Sequence, residues 1–347
     1  ALRELARKGG PLGRLHAGWT LQGLVALDVE VVLGLLDDPH PRVRENALML
    51  AERWASEKAV SGKLIRLAED PDPRVRYQAA LALGAWDDDA ILEPLAKIAR
   101  AGAGDRWTRL AVATAVPRRA GRLIPLVEDP ATAAELASLV GARQDEGEIR
   151  ALTAYLLAQE PGRQAAILNG LAEGMSRRGA KLATYFQESP EAQELLLRAA
   201  ALAENEERLP AERIAAVRLL IHLPWEKAAP AFSRLLADRQ PEEVRIAAVG
   251  AISSHPRPEV AEMLMASWKT YLPAMRREVL EAMGRRNERL GALLDRVGGK
   301  KLTPGLARLV ERLDPPDVAL SPDRPVAGAR RDRRWRVLMN DVVEVDA

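Results

Sequence analysis

Four histidines, His16, His40, His222 and His255, are the side chains best placed to bind metal or move protons near neutral pH. None is followed by Glu, and no two stand three or four residues apart, so the His-Glu-x-x-His zinc pattern is missing. Cysteine is absent. That removes thiolate nucleophiles, disulfides, Cys-ligated zinc, iron–sulfur clusters and covalent c-type haem. Carboxylates cluster at Asp37-Asp38 and at Asp87-Asp88-Asp89, but between helical segments such acids read as turn and cap residues. Gly102-Ala103-Gly104-Asp105 opens like a dinucleotide fingerprint without its third glycine or a preceding strand. Gly298-Gly299-Lys300-Lys301 lacks the spacing and the Ser or Thr of a phosphate-binding loop. No Gly-x-Ser-x-Gly occurs. The expectation is a chain with no catalytic residue, no metal ligand and no cofactor.

Residues suited to gripping are more regular. Arg44, Arg76, Arg109, Arg213, Arg245 and Arg277 recur at intervals of 32 or 33 within each series. On one face they would form a basic stripe for phosphates or an acidic partner. Each could instead pair with an acid of a neighbouring turn. Trp54, Trp86 and Trp107 stand near equivalent sites and read as packing aromatics, or as a cleft able to hold a flipped base. Asp105, Trp107 and Arg109 are the only trio that such a base-binding cleft could use, and Asp105 is more simply a helix cap. His40 takes the place of Asp72 in a turn. His16, ahead of Trp19 in an apolar stretch, is expected to be packed inside.

These positions rest on an internal repeat. Asp38-Pro39-His40-Pro41-Arg42-Val43-Arg44 returns as Asp70-Pro71-Asp72-Pro73-Arg74-Val75-Arg76, and Trp54 returns as Trp86. Arg213-Ile214-Ala215-Ala216-Val217 returns as Arg245-Ile246-Ala247-Ala248-Val249. Val43, Ala47, Leu50 and Trp54 are spaced four, three and four apart, which makes one face of a helix. Val75, Ala79, Ala82 and Trp86 repeat it. Pro41 and Pro73 precede these runs, where a missing N–H costs nothing. The partner helices read Val60 to Glu69 and Ile91 to Arg100. A period in the thirties with two helices per repeat marks a helical solenoid, in which each layer stabilises the next.

The expected fold is therefore all-α, a right-handed superhelix of eight or nine helix pairs over residues 1–313, irregular at about 118–180. Residues 314–347 read as a Pro- and Arg-rich linker and flexible tail, with a basic cluster from Arg330 to Arg336. With 51 basic and 49 acidic residues the charge nearly cancels, which argues against a globally basic nucleic-acid binder. At 48% hydrophobic and 29% charged residues the composition is that of a folded chain. Its scarce aromatics suit helices packed through Leu, Ala and Val. The longest uncharged run, Leu15 to Leu27, is short of the roughly 18 residues that span a membrane. The chain opens Ala-Leu-Arg-Glu without Met, and is read as a piece of something longer.

A helix pair that turns at Asp-Pro and carries Val-Arg at the start of its second helix resembles the HEAT repeat. Arg14-Leu15-His16-Ala17-Gly18-Trp19-Thr20-Leu21, leading into Leu33 to Trp54, is similar to the HEAT region of the membrane-bound dehydrogenases of planctomycetes and verrucomicrobia. So are Gly170-Leu171-Ala172-Glu173-Gly174 with Arg177-Arg178-Gly179, and Trp225-Glu226 with Ala229-Pro230-Ala231. The resemblance covers roughly residues 1–285. It implies a periplasmic or exported setting and a non-catalytic scaffold that docks a protein partner or the neighbouring domains of its parent chain. The family's propeller and haem modules are not in this sequence, so its redox activity does not carry over. HEAT-repeat di-iron hydroxylases use His-Glu pairs that this chain lacks. The second reading is a nucleic-acid-binding HEAT-like protein, such as a DNA glycosylase.

Overall fold

In a computed structural model, residues 1–186, 189–284, 286 and 289 are described. All regular structure among them is helical. The helices fall into two compact units, Ala1–Glu191 and a second that begins at Ala192.

The first unit contains α1 (Leu2–Lys8), α2 (Pro11–Gly23), α3 (Val29–Leu36), α4 (Pro41–Ala51), α5 (Lys58–Leu67), α6 (Pro73–Leu83) and α7 (Leu92–Ala101). It continues with α8 (Arg106–Ala115), α9 (Ala120–Leu123), α10 (Pro130–Arg143), α11 (Glu146–Leu157), α12 (Pro161–Arg177) and α13 (Leu182–Phe186). The even-numbered helices α2 to α12 pack each on the next, while α3 meets α5 and α7 meets α9. That two-layer stacking is the helical-repeat arrangement.

Local chemistry explains where each helix starts. Pro41 and Pro73 occupy the first helical position, and the residue before each closes the cap. Asp72 accepts the Arg74 N–H at 2.8 Å, and His40 does the same for Arg42 through Nδ1 at 3.2 Å. Val43, Ala47 and Leu50 are buried, as are Val75, Ala79 and Ala82, so the sequence pattern marks the inner face. His16 departs from expectation. The buried positions of α2 are Ala17, Gly18 and Leu21, which turns His16 outward into solvent.

The irregular stretch keeps its helices but changes how they touch. Cβ atoms built on Gly170 and Gly174 of α12 would lie 2.0 Å from the Ala134 carbonyl oxygen and 1.9 Å from that of Ser138. A Cβ on Gly141 of α10 would lie 2.3 Å from the Leu171 oxygen. Here α10 and α12 meet backbone against backbone, where Leu and Ala faces mediate the earlier layers.

The second unit holds α14 (Pro190–Glu204), α15 (Pro210–Leu219), α16 (Trp225–Leu235), α17 (Glu242–Ser254), α18 (Glu259–Ala266) and α19 (Pro273–Gly284). In it α15 packs on α17 and α17 on α19. The expected continuation of the array to residue 313, the Gly298–Lys301 motif and the 314–347 tail lie outside the described residues. No helix among the described residues is long and apolar enough to cross a membrane.

Candidate functional site

The arginine ladder is a register position. Each member is the fourth residue of its helix and closes the first turn onto the cap carbonyl. Arg44 N–H reaches His40 O at 3.3 Å, Arg76 reaches Asp72 O at 3.2 Å and Arg109 reaches Asp105 O at 3.2 Å. In the second unit Arg213 reaches Leu209 O and Arg245 reaches Pro241 O, both at 3.1 Å. The same bond in α19 belongs to Arg276, to Leu272 O at 2.9 Å, so the sixth member is Arg276 and not Arg277. The cause is Pro273, which opens α19 as its first residue, whereas Pro241 sits one place earlier as the cap of α17. Arg277 is exposed. Arg14, absent from the sequence ladder, holds the position in α2, with its N–H on Gly10 O at 2.9 Å.

The side chains fasten one layer to the next. The Arg44 guanidinium donates from Nε and Nη2 to the two Asp70 oxygens at 2.7 and 2.8 Å, and from Nη1 to Asp38 O at 2.8 Å. Only 13% of the Arg44 side chain and 4% of that of Asp70 are exposed. Arg14 grips Asp38 in the same two-pronged way, with Nη2 to Oδ1 at 2.7 Å. Burial works to raise the Asp38 carboxyl, but the hydrogen bonds from Arg14 and from the His40 N–H outweigh it and hold it below the ordinary range. The bond to Asp70 holds Arg44 above its ordinary value against burial.

Beyond Arg44 the acceptors change. Arg76 donates from Nη1 to Asp70 O at 2.7 Å and Pro71 O at 3.0 Å, and meets no carboxylate among the described residues. Arg109 reaches Ala103 O at 3.2 Å and comes within 3.9 Å of Glu135. Arg213 is buried between Ala203 O and the Gln240 side-chain oxygen. Arg245 donates to Asp238 at 2.9 Å and lies 5.4 Å from the Tyr271 ring. Arg14, Arg44, Arg109 and Arg213 thus reach the following layer, while Arg76 stays within the turn before its own helix.

The three tryptophans differ in exposure. Trp54 is half-buried with the Arg53 guanidinium 4.5 Å above its ring, and Trp86 is half-buried in the turn after α6. Trp107 is 63% exposed. Asp105 accepts the Thr108 N–H at 2.8 Å and its hydroxyl at 2.7 Å, capping α8, and these bonds hold its carboxyl below the ordinary range.

A cleft of about 930 Å³ opens in the irregular part of the first unit, and the sequence reading did not anticipate it. Arg118, Arg122, Arg143 and Arg178 line it beside Asp145 and Glu148. The two acids are occupied. Asp145 caps α11 through the Glu148 N–H at 2.8 Å, and Glu148 accepts from Arg143 and, at 3.2 Å, from the Gly121 N–H. Arg122 pairs with Asp89. Burial draws the Arg143 guanidinium below the usual arginine range, and Asp145 pulls it back up. Arg118 makes no hydrogen bond among the described residues, though its charge acts on Asp87. Arg178 has no carboxylate partner there. Surplus positive charge therefore faces the opening.

A family model for HEAT repeats matches residues 29–116, the span of α3 to α8, so this stretch is a HEAT-repeat region. No curated protein matches the chain. Among solved structures the chain is similar to human deoxyhypusine hydroxylase in complex with glycerol, at 21% identity and TM-score 0.28, over 82% of this chain and 93% of that one. It is similar to a chain of a homology model of the full-length AP-3 complex, at 13% identity and TM-score 0.29, over 81% and 63%. An engineered protein aligns at 16% identity and TM-score 0.29, over 99% and 98%. None of these likenesses bears on function.

Proposed function

With residues 29–116 as a HEAT-repeat region, we propose that the chain is a non-catalytic scaffold that docks an acidic segment of a protein partner, or of a neighbouring domain in an exported parent protein. The observation that carries this reading is the cleft lined by α9 to α12. Its guanidinium groups outnumber its carboxylates, and both carboxylates are already engaged. Its volume suits a few residues of extended chain. Ion pairs between helices elsewhere in the unit serve stacking, whereas Arg118 and Arg178 of the cleft have no carboxylate partner among the described residues and are available to a partner.

The test is fluorescence anisotropy with a labelled Asp/Glu-rich peptide. The expected result is binding that weakens with salt and falls at least about tenfold in the Arg118→Glu, Arg178→Glu double variant. Affinity that ignores this reversal would overturn the cleft as the docking site.

A further inference from the structure

Among the described residues of the first unit, Arg76 is the ladder arginine that meets no acid. Arg14 meets Asp38 and Arg44 meets Asp70, each acid lying two residues before the cap of the next even-numbered helix. For Arg76 that place belongs to Ala103, two before Asp105, the cap of α8. The carbonyl oxygens confirm the equivalence. Arg109 donates to Ala103 O as Arg76 donates to Asp70 O and Arg44 to Asp38 O.

Arg76 is nonetheless held like its neighbour below. Its Nη1 sits on Asp70 O and Pro71 O at 2.7 and 3.0 Å, and that of Arg44 sits on Asp38 O and Pro39 O at 2.8 and 3.1 Å. In Arg44 this leaves Nε and Nη2 to grip a carboxylate. In Arg76 the same edge has no protein acceptor among the described residues. It is not sealed off either, since neither nitrogen is among the buried polar atoms left without a partner. A pre-oriented fork needs little further ordering to bind a planar anion. Four residues after Ala103, at the start of α8, comes Trp107, 63% exposed and with the Arg106 guanidinium 6.0 Å from its ring. Exposed Trp and Arg are the residue types that anchor protein interfaces.

We propose that the open rung at Arg76 and Ala103 docks a carboxylate presented by a protein partner, an aspartate on an Asp-Pro turn that takes the place Asp70 takes for Arg44. The inference rests on the scaffold reading but uses a different surface from the cleft.

The probe is a peptide of residues 68–73, Ala-Glu-Asp-Pro-Asp-Pro, which is the turn that fills the rung below. Binding is followed on the whole chain through the arginine Nε–Hε signals in ¹⁵N NMR. A saturable shift of the Arg76 signal is expected, at least about fivefold weaker with the Asp70→Asn peptide. The Ala103→Asp chain, which supplies its own acid, should lose the response while the Arg44 signal stays in place as proof of folding. Arg76→Gln should lose peptide binding without changing helicity. A silent Arg76 at saturating peptide, an equal response to the Asn peptide, or a response that survives Ala103→Asp would each overturn the proposal. A silent Arg76 with a cleft that still binds acidic peptide sinks this inference alone. A responding Arg76 with a cleft indifferent to charge reversal sinks only the cleft.

Discussion

At Asp70 a two-pronged arginine contact is nearly shut off from water, so its removal strands a buried guanidinium. Breaking one side of a buried pair costs about 3–5 kcal/mol. Asp70→Ala is therefore expected to lower the unfolding free energy read from a urea titration by that order, while Arg3→Ala at the exposed Asp28 pair should cost less than about 1 kcal/mol. His222 contributes to the pH dependence of stability. Burial first, and nearby His255 second, pull its pKa from 6.5 to about 4. Above pH 6.5 both folded and unfolded chains hold it neutral, and stability is full. As pH falls from 6.5 towards 4 the unfolded chain takes up a proton that the folded one refuses, and stability drops. Urea midpoints at pH 7 and pH 5 should differ less in His222→Gln than in the parent chain; an unchanged difference would contradict this. The arginines were legible in the sequence as a period, but their register was not. Proline as first residue with Arg three places on marks Arg14, Arg44, Arg76, Arg213 and Arg276 at once. Counting offsets of 32 instead selected Arg277, because Pro241 caps its helix from one place earlier, and passed over Arg14, which lies 30 residues before Arg44.

Among the helices, those with an Asp-Pro turn and a four-three-four apolar spacing were readable in advance, since cap chemistry and face burial are local. The α9 to α12 stretch was not. Its contacts depend on glycines whose partners lie 30 to 36 residues away, and no local pattern announces a backbone-to-backbone crossing. The same glycines give the sharpest prediction at this scale. A Cβ at Gly174 would lie 1.9 Å from the Ser138 carbonyl oxygen, which is backbone and cannot swing aside. Gly174→Ala should destabilise the first unit by about 1–3 kcal/mol, the ordinary cost of overpacking. Gly62→Ala in α5, where a Cβ meets nothing within 4 Å, should be neutral or stabilising. Thermal melts of the two variants check this. Because the cleft is lined by α9 to α11 and by Arg178 at the end of α12, Gly174→Ala should also weaken acidic-peptide binding, and Gly62→Ala should not.

For the whole molecule, near-neutral net charge conceals a division of labour. Among the described residues many arginines join one helix to another, and others, those of the cleft and the open rung among them, are left to meet something else. All-α character and repeat organisation followed from composition and period, because stacked helix pairs dictate both. Which surface stays available did not, because it depends on which rungs find their acid. On the proposed reading those remaining arginines receive protein carboxylates rather than phosphates, and carry no chemistry. The most direct measurement is a paired anisotropy titration of one acidic peptide and one DNA duplex of matched charge, at low and at physiological salt. The account expects the peptide to bind more tightly at both, with the Arg118→Glu, Arg178→Glu variant losing that affinity. A duplex that binds more tightly, with the steep salt dependence of phosphate contacts, would contradict it.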